Sequence, residues 1–394
     1  MSTSEFQPAA RLATLPPSFF YGLNRAIARL KAAGVDVIRM DMGSPDLPPA
    51  PHILARLGQA AADPNAHGYQ PFAGPPSYRG AWAEFYGRRF GVELDPATEI
   101  MGLLGSKGGV FNLPVAMVNP GDVVLIPDPG YNTYTAGATF AGGECVYMPL
   151  THANMFLPDF KAIPEATLRR AKLMWLNYPN NPTGAVAPLA LFAEAVALAR
   201  QYGFLLAHDA PYTEITFDGY QAPSVMQIPG AKDVAVEFHS LSKTANMAGW
   251  RAGVLVGNPS VLKIMQTLQS NAEGGHFLPI LAAAEAALTG DQAWLAERNE
   301  VYRERRDLVV SAVRAAGLYT ETPQAAIYVW VHLPAGVDDK SYAEELLEAT
   351  GVSVTPGWIF GEAGRGFVRL SLGTPTPRVR EAMARWQAWA QKKT

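Results

Sequence analysis

The 394-residue sequence contains a single cysteine, Cys145, and has little net charge. One cysteine excludes a disulfide within the chain and any cluster of thiolate metal ligands, which is typical of a reducing cytoplasm. The formal net charge of −3 provides no basic surface for nucleic acid or anionic lipid. The seven histidines show none of the spacings typical of metal ligands. We therefore expect no metal, no nucleic-acid partner and no membrane partner.

Long apolar runs are also absent. No window reaches the roughly 18 uninterrupted apolar residues that a transmembrane helix needs. The first 20 residues lack the basic stretch and following apolar run of a signal peptide. Apolar residues still make up 48% of the chain and charged residues only 17%, so a large core can form. We expect a soluble, cytoplasmic protein with more than one domain.

The middle of the chain alternates short apolar runs with helical patterns. Residues 189–202, for example, place Phe192, Val196 and Ala199 on one helical face. Strands that are joined through helices indicate crossover connections and a buried, mostly parallel sheet. This pattern predicts a large α/β domain over residues 50–280. Its predicted strands are Asp122–Ile126, Leu173–Leu176, Phe204–Ala207, Val234–Phe238 and Gly253–Val256.

The C-terminal third has a different pattern, in which single helices and strands follow one another. We expect a smaller α+β domain, formed by residues 281–394 together with the N-terminal arm, residues 1–49. Thr376 is the predicted N-cap of the last helix, and Pro377 its first residue. The other predicted elements are a helix over 301–316, the strand Ile327–His332, the helix Ser341–Thr350 and the strand Phe367–Ser371.

A lysine with catalytic potential follows one predicted strand directly. Residues 240–251 read S-L-S-K-T-A-N-M-A-G-W-R, with Lys243 among small hydroxyl residues and Arg251 at the end. Loss of hydration lowers the pKa of an amine, and a partly neutral amine can form a Schiff base. The guanidinium of Arg251 has a planar fork suited to a phosphate. A surface loop with two ordinary cations would explain a bare S-x-x-K, but not the whole string.

The string resembles the lysine motif of the pyridoxal-phosphate aminotransferases of class I/II, which have fold type I. Five further segments resemble motifs of that family in the same order, and the similarity extends from about Gly43 to Gly373. These segments are Gly105-Ser106-Lys107-Gly108-Gly109, Asp128-Pro129-Gly130-Tyr131, Tyr178-Pro179-Asn180-Asn181-Pro182-Thr183-Gly184, His208-Asp209-Ala210-Pro211-Tyr212 and Phe367-Val368-Arg369-Leu370-Ser371.

The resemblance implies a fold, a cofactor and a reaction. The fold is α/β, with a large domain whose mostly parallel sheet is flanked by helices and with a smaller α+β domain. The cofactor is pyridoxal 5′-phosphate. The reaction moves the amino group of an L-α-amino acid to a 2-oxo acid, with 2-oxoglutarate as the expected acceptor, through a Schiff base with the cofactor. The family's sites are shared in a homodimer.

The resemblance also implies roles for individual residues. Lys243 would form the Schiff base and move the proton of the substrate's α-carbon, and Asp209 would keep the pyridine nitrogen protonated. Tyr212 and Asn181 would bind the ring oxygen and lower the pKa of the Schiff base. Asp209 could instead be a helix N-cap, and Asn181 could instead serve a turn. The remaining expected cofactor ligands are Ser106, Lys107, Ser240, Ser242 and Arg251 at the phosphate, Tyr131 on the ring face and Tyr69 from the partner subunit.

Three residues are expected to bind the substrate. Arg369 would hold the α-carboxylate bidentately, while Gly43 would offer a main-chain N–H and Asn181 a side-chain amide. Asn271 is either a second residue that reaches the partner's site or an exposed loop amide. His208 and His239 are expected to pack beside the cofactor strands without binding a ligand.

Within the family, the sequence around Lys243 and Tyr178 looks most like that of the LL-diaminopimelate and alanine aminotransferase branch. Two departures argue against a substrate with a distal ammonium. Gly108 replaces the glutamate that is usual in that branch, and the loop containing Phe72 lacks its usual carboxylate. An unpaired charge in a closed site is costly, so we expect a neutral amino donor, whose side chain is read near Gly108, Phe72, Phe20 and Tyr21.

Two other functions on the same scaffold are considered. A carbon–sulfur β-lyase would release pyruvate and ammonia, and nothing in the motifs excludes it. A regulator that senses pyridoxal phosphate would need a basic DNA-binding domain before Gly43. The residues before Gly43 are not rich in lysine or arginine, which disfavours the regulator.

Overall fold

The computed structural model describes residues 6–13, 15 and 19–392. They form helices and strands that we number in chain order. The helices are α1 (Ala10–Ala13), α2 (Phe19–Ala32), α3 (Pro51–Ala61), α4 (Pro76–Phe90), α5 (Ser106–Met117), α6 (Thr133–Phe140), α7 (Glu165–Arg170), α8 (Leu189–Tyr202), α9 (Ala231–Val234), α10 (Leu241–Thr244), α11 (Pro259–Ala272), α12 (Leu278–Thr289), α13 (Trp294–Ala315), α14 (Asp339–Thr350) and α15 (Thr376–Ala390). The strands are β1 (Ile38–Arg39), β2 (Ile100–Leu103), β3 (Val123–Asp128), β4 (Glu144–Pro149), β5 (Ala171–Leu176), β6 (Leu205–Asp209), β7 (Ala235–Ser240), β8 (Gly253–Gly257), β9 (Tyr319–Thr320), β10 (Tyr328–His332), β11 (Val352–Ser353), β12 (Thr355–Pro356) and β13 (Phe367–Ser371).

The large sheet has seven strands in the order β2-β8-β7-β6-β5-β3-β4. Its strands pair in parallel except for β8, which is antiparallel to both of its neighbours. Every residue of β3, β6 and β7 is buried, as expected where helices cover both faces of a parallel sheet. The prediction of a mostly parallel sheet flanked by helices is confirmed.

Two strands of this sheet, β2 and β4, were not predicted from the sequence. β4 lies at an edge and exposes Glu144 and Tyr147, so it lacks the continuous apolar run of the central strands. β2 has only four residues and includes Gly102, which weakens the strand signal. The carboxyl ends of β5, β6 and β7 lie side by side, so the residues that follow them meet at one edge of the sheet.

The smaller sheet is antiparallel, with the order β12-β13-β10-β9. Arg369 on β13 lies opposite Trp330 on β10 and Thr355 on β12. A separate parallel pair joins β1 near the N-terminus to β11, with Ile38 opposite Val352. Beside this pair, Ile27 and Leu30 of the helix α2 pack against Val37 and against Leu347 of α14.

The two larger sheets have separate hydrophobic cores, but neither core is made of one chain segment. Leu281 and Leu288 of α12 pack with Ile53 and Trp82 in the large-sheet core. Tyr212 belongs to the small-sheet core. The division of the chain at residues 49/50 and 280/281 stays a prediction. Among the described residues, no helix is long and apolar enough to cross a membrane.

The start of the last helix differs from its prediction. Thr376 is the first residue of α15 and Pro375 is the N-cap, so Pro377 is one position later than expected. The hydroxyl of Thr376 accepts a hydrogen bond of 3.1 Å from Nε of Arg305. This tertiary bond occupies the oxygen that the sequence assigned to capping.

Candidate active site

A cavity of about 290 Å³ lies where the ends of β6 and β7 face the small sheet. The strand order explains its contents, because the residues after neighbouring parallel strands meet at one edge. The cavity is lined by Phe20, Gly43, Ser106, Lys107, Tyr131, Asn132, Tyr134, Asn177, Asn181, Asp209, Pro211, Tyr212, Ser240, Ser242, Lys243, Ala248, Arg251, Tyr328, Ile359, Phe360 and Arg369.

Lys243 lies in the short helix α10, which begins directly after β7. Its Nζ donates a hydrogen bond to the carbonyl oxygen of Gly43, which joins the N-terminal segment to the lysine. Burial lowers the pKa of the Lys243 amine to about 7, and the nearby guanidinium groups of Arg369 and Arg251 contribute to this shift. A large fraction of this amine is therefore neutral, and nucleophilic, near neutral pH.

Asp209 is the last residue of β6, and its side chain is 4% exposed. Its Oδ2 accepts a hydrogen bond of 2.8 Å from the hydroxyl of Tyr134, while its Oδ1 is buried and has no hydrogen-bond partner among the described residues. Burial raises the pKa of the Asp209 carboxyl to about 6, opposed by the bond from Tyr134. One carboxylate oxygen is thus held in place, and the other is open to a donor within the cavity.

Three further side chains line the cavity near Asp209. The Tyr212 and Tyr328 hydroxyls lie 2.7 Å apart, and burial raises the pKa of both phenols. Asn177, which follows the end of β5, donates to the carbonyl of Asp209 at 2.7 Å and accepts from the main-chain N–H of Asn181 at 2.8 Å. This amide therefore fixes the Asn181 loop relative to Asp209.

The opposite end of the cavity has the features of an anion site. Ser106 is the first residue of α5, so unpaired main-chain N–H groups are available there. Gly105 precedes it with φ of 76°, and a Cβ at that position would lie 2.2 Å from Nη2 of Arg251. Arg251 donates to Ser242 Oγ at 3.4 Å, and Ser240 caps α10 by accepting from the N–H of Ser242 at 3.2 Å. Glycine at 105 is required by both the backbone and the space.

Arg369 crosses the cavity from the small sheet and is 4% exposed. Its guanidinium lies between the rings of Tyr328 and Phe360, at 4.3 and 4.7 Å from their centroids. It donates to Asn181 Oδ1 at 2.7 Å and to the carbonyl of Asp41 at 3.0 Å, while its Nε is buried without a partner among the described residues. The guanidinium can therefore donate to, and bind, a substrate carboxylate.

Gly43 and Tyr131 complete the lining. A Cβ on Gly43 would lie 2.2 Å from the hydroxyl of Tyr328, so only glycine fits between that phenol and Lys243. Tyr131 packs edge-on against Tyr134, with ring centroids 5.7 Å apart, and lines the cavity itself.

Comparison with known proteins agrees with this geometry. A family model for class I and II aminotransferases matches residues 35–385. The LL-diaminopimelate aminotransferase of Desulforudis audaxviator is 50% identical over 380 residues, which cover 96% of this chain and 97% of that protein. The corresponding enzyme of Syntrophobacter fumaroxidans is 46% identical, with 96% and 98% covered. The chain belongs to the class I and II aminotransferases.

Solved structures have the same fold. The substrate-bound BacF structure from Bacillus subtilis superposes with a TM-score of 0.94 at 38% identity, over 98% of each chain. A variant of the Thermus thermophilus aspartate aminotransferase superposes with a TM-score of 0.89 at 32% identity, over 98% of this chain and 100% of that one. The chain is therefore a pyridoxal-phosphate-dependent enzyme of transamination, acting on amino acids and 2-oxo acids.

The residues of this aminotransferase fit its cofactor. The unpartnered Oδ1 of Asp209 provides an acceptor for a protonated pyridine nitrogen. The free main-chain N–H groups at the start of α5, next to the Arg251 guanidinium that packs against Gly105, suit a phosphate. The partly neutral amine of Lys243 suits an aldehyde.

The cavity gathers most of the residues that the sequence predicted, but not all. Tyr69 does not line it and is fully exposed, at 101% of its reference surface. Asn271 is exposed as well, and its amide donates to the carbonyl of Thr267 within α11. The expected roles of both residues require a second subunit and stay predictions.

Several residues of the aminotransferase site were missed in the sequence. Tyr134 and Asn177 hold Asp209, and Tyr328 contacts Tyr212 and Arg369. Tyr134 lies three residues after the predicted Tyr131, and the two rings are in edge-on contact. Tyr328 offers no such signal, because only the pairing of β10 with β13 brings it to the cavity.

The two histidines beside the cofactor strands are fully buried. His208 bonds to the carboxylate of Glu237 at 2.8 Å, and His239 lies 2.6 Å from the hydroxyl of Thr213. Burial lowers the pKa of His239 to about 4, so this ring is neutral. No group of histidine, cysteine, aspartate or glutamate arranged for a metal ion occurs in the described part of the chain.

Proposed function

We propose that this aminotransferase uses a neutral, apolar L-α-amino acid as its preferred amino donor and 2-oxoglutarate as its acceptor. The composition of the cavity wall carries the proposal. On the side of the small sheet and of α2, this wall is made of Phe20, Ile359 and Phe360. Asp209 is the one carboxylate among the described lining residues, and it is committed to the cofactor ring. Each substrate methylene that is buried against such a surface contributes about 0.8 kcal/mol of favourable binding free energy.

The cofactor site is the first part of the proposed mechanism. Pyridoxal phosphate supplies an aldehyde that condenses with amines and a ring that accepts the electron pair of the substrate's α-carbon. Asp209 Oδ1 would accept the hydrogen bond of the ring nitrogen, and Tyr212 and Asn181 would donate to the ring oxygen. The start of α5 would hold the phosphate with Lys107, Arg251 and the serines, which are Ser106, Ser240 and Ser242. Tyr131 would pack on the ring face.

The substrate side depends on Arg369. Its guanidinium is already desolvated between two rings, so a substrate carboxylate gains a charged pair without stripping water from the cation. Gly43 and Asn181 provide additional polar contacts to the same carboxylate. Lys243, whose amine is partly neutral near pH 7, would serve as the base that accepts the proton of the substrate's α-carbon and would then donate it to the bound cofactor.

LL-diaminopimelate is the second candidate donor, and a specific observation favours it. It is the substrate named for both relatives described above, at 50% and 46% identity. The structure also offers one carboxylate close to Gly108. Glu273 Oε1 lies 3.5 Å from the place of a Cβ on Gly108, and the same carboxylate contacts Asn112 and Gln269. In a dimer, this carboxylate could receive a distal ammonium.

A half-reaction screen decides between the two donors. The enzyme loaded with cofactor is mixed with single amino acids, and the loss of its visible absorbance is followed. We expect alanine or a larger apolar amino acid to react at least as fast as LL-diaminopimelate. A kcat/KM for LL-diaminopimelate 100-fold above every neutral donor, which is about 2.7 kcal/mol, would refute the proposal. Release of pyruvate and ammonia would instead indicate the β-lyase.

Glu273→Gln separates the candidates further. If LL-diaminopimelate binds through Glu273, this variant should lose activity with LL-diaminopimelate but keep its activity with alanine. The matched control is Glu285→Gln, because Glu285 lies on α12 and bonds to Ser77 outside the cavity. Equal behaviour of the two variants with both donors would exclude Glu273 as the partner of a distal ammonium.

We further propose a cytoplasmic homodimer whose sites are each completed by Tyr69 of the partner subunit. The single cysteine supports a reducing compartment. Three exposed aromatic side chains, Tyr69, Phe72 and Phe277, support an interface. Their two loops are in contact, since the rings of His67 and Phe277 lie 5.6 Å apart.

A further inference from the structure

One buried cation outside the cavity contacts the main chain of the lysine segment. Arg298 lies on α13 and is 3% exposed. Two other buried arginines of the same helix are paired with carboxylates, Arg305 with Asp46 and Arg306 with Asp218. Arg298 has no ion pair among the described residues. A buried charge without a counter-charge is costly unless hydrogen bonds compensate it.

The compensation comes from main-chain carbonyls. Nη1 of Arg298 donates to the carbonyl of Lys243 at 3.1 Å and to that of Thr244. Nη2 donates at 2.5 Å to the carbonyl of Glu214, in the segment that follows Tyr212. Carbonyls at the end of a helix lack partners within the helix, and a cation there is favourable. Arg298 therefore caps the C-terminal end of α10 by donating to its last carbonyl groups.

We propose that Arg298 is a positioning residue for Lys243. Its planar fork ties the main chain of residues 243–244 to that of Glu214, and so fixes where the lysine amine stands relative to Arg251 and Arg369. The proposal uses the role of Lys243 given above but concerns the protein without cofactor. It can therefore fail while the transamination proposal stands.

The guanidinium geometry matters as well as the charge. An ammonium in this place would keep the charge but could not bridge both carbonyl groups in one plane. Loosening of the lysine segment would let its amine reach water and move away from the two cations. Both changes favour the protonated amine. The ionisable groups that share the cavity with this amine are Lys107, Tyr131, Tyr134, Asp209, Tyr212, Arg251, Tyr328 and Arg369.

The test measures the titration of Lys243 in the cofactor-free protein. A lysine-selective acylating reagent is applied between about pH 6 and pH 10, and its rate at Lys243 is read by peptide mass spectrometry. We expect Arg298→Met to raise the midpoint by about one pH unit, which makes modification at pH 7 about fivefold slower. We expect Arg298→Lys to raise it by a smaller amount.

Arg306→Met is the matched control, because it removes a buried arginine of the same helix that contacts Asp218 and the carbonyl of Pro323. It should lower the melting temperature and leave the Lys243 midpoint unchanged. An equal shift in Arg306→Met would overturn the proposal, since general loosening would then explain it. A wild-type midpoint in Arg298→Lys would also overturn it, because charge alone would then suffice. Should Arg298→Met fail to fold, Arg298→Lys decides.

Discussion

Replacing the buried lysine should stabilise the cofactor-free protein. The pKa of the Lys243 amine falls from its ordinary value of 10.5 to about 7 on folding, first because of burial and then because of Arg369 and Arg251. Folding therefore has to release the amine's proton or bury its charge. The variant Lys243→Met keeps the length of the side chain and removes this cost.

The magnitude and the sign follow from the two pKa values. Between about pH 7 and pH 10.5 the unfolded chain binds more protons than the folded one, so wild-type stability rises with pH over that range. At about 1.4 kcal/mol per pKa unit, the cost at pH 7 is at most about 4 kcal/mol. We expect the free energy of unfolding of Lys243→Met to exceed that of the wild type by up to this amount at pH 7. The difference should nearly disappear by pH 10.

Urea unfolding of the cofactor-free proteins at several pH values measures this difference. Lys107→Met is the control, because Lys107 lines the same cavity but is exposed, and it should change little. The carboxyl of Asp209 and the ring of His239 titrate below this range, with pKa values of about 6 and 4. A gap between Lys243→Met and the wild type that stays constant from pH 7 to pH 10, or a less stable variant at pH 7, would refute the reasoning.

Three further predictions concern the loaded enzyme. Asp209→Ala should weaken cofactor binding and slow α-proton abstraction by orders of magnitude, as measured by stopped-flow absorbance. Asp209→Glu should keep part of the activity. Near-normal rates in Asp209→Ala would contradict this. Arg369→Ala should raise KM for donor and acceptor alike, by roughly 10- to 100-fold for a lost charged pair of about 1.5–3 kcal/mol, and a change for one substrate only would argue against a shared carboxylate site. Mixing Lys243→Ala with an inactive Tyr69→Phe variant should restore activity through hybrid dimers, and no recovery after subunit exchange would count against a shared site.

The sequence predicted the residues whose chemistry is local. Asp209 ends a buried strand of the parallel sheet and Lys243 closely follows another, and strand ends can be located from apolar runs. Phe367–Ser371 and Leu189–Tyr202 were predicted with the bounds that the structure has. Their apolar patterns are regular and end at clear turn signals.

The groups that were missed depend on tertiary contacts. Tyr328 reaches the cavity only because β10 pairs with β13. Arg298 looks like one more charge on a polar helix, and nothing local distinguishes it from Arg314, an exposed arginine of α13. Gly108 was interpreted as a lost carboxylate, whereas the structure places Glu273, far away in the sequence, beside it. Such contacts join segments that no spacing rule connects.

The pairing of β1 with β11 has a consequence for how the protein is made. Ile38 bonds into a strand whose partner, Val352, leaves the ribosome more than 300 residues later. Until then, the N-terminal segment that carries Gly43 has no sheet to join, and the apolar face of α2 lacks Leu347. Pairing across such a separation is slow, and exposed apolar surface favours aggregation meanwhile. The nascent chain therefore spends most of its synthesis with the apolar face of α2 uncovered by Leu347.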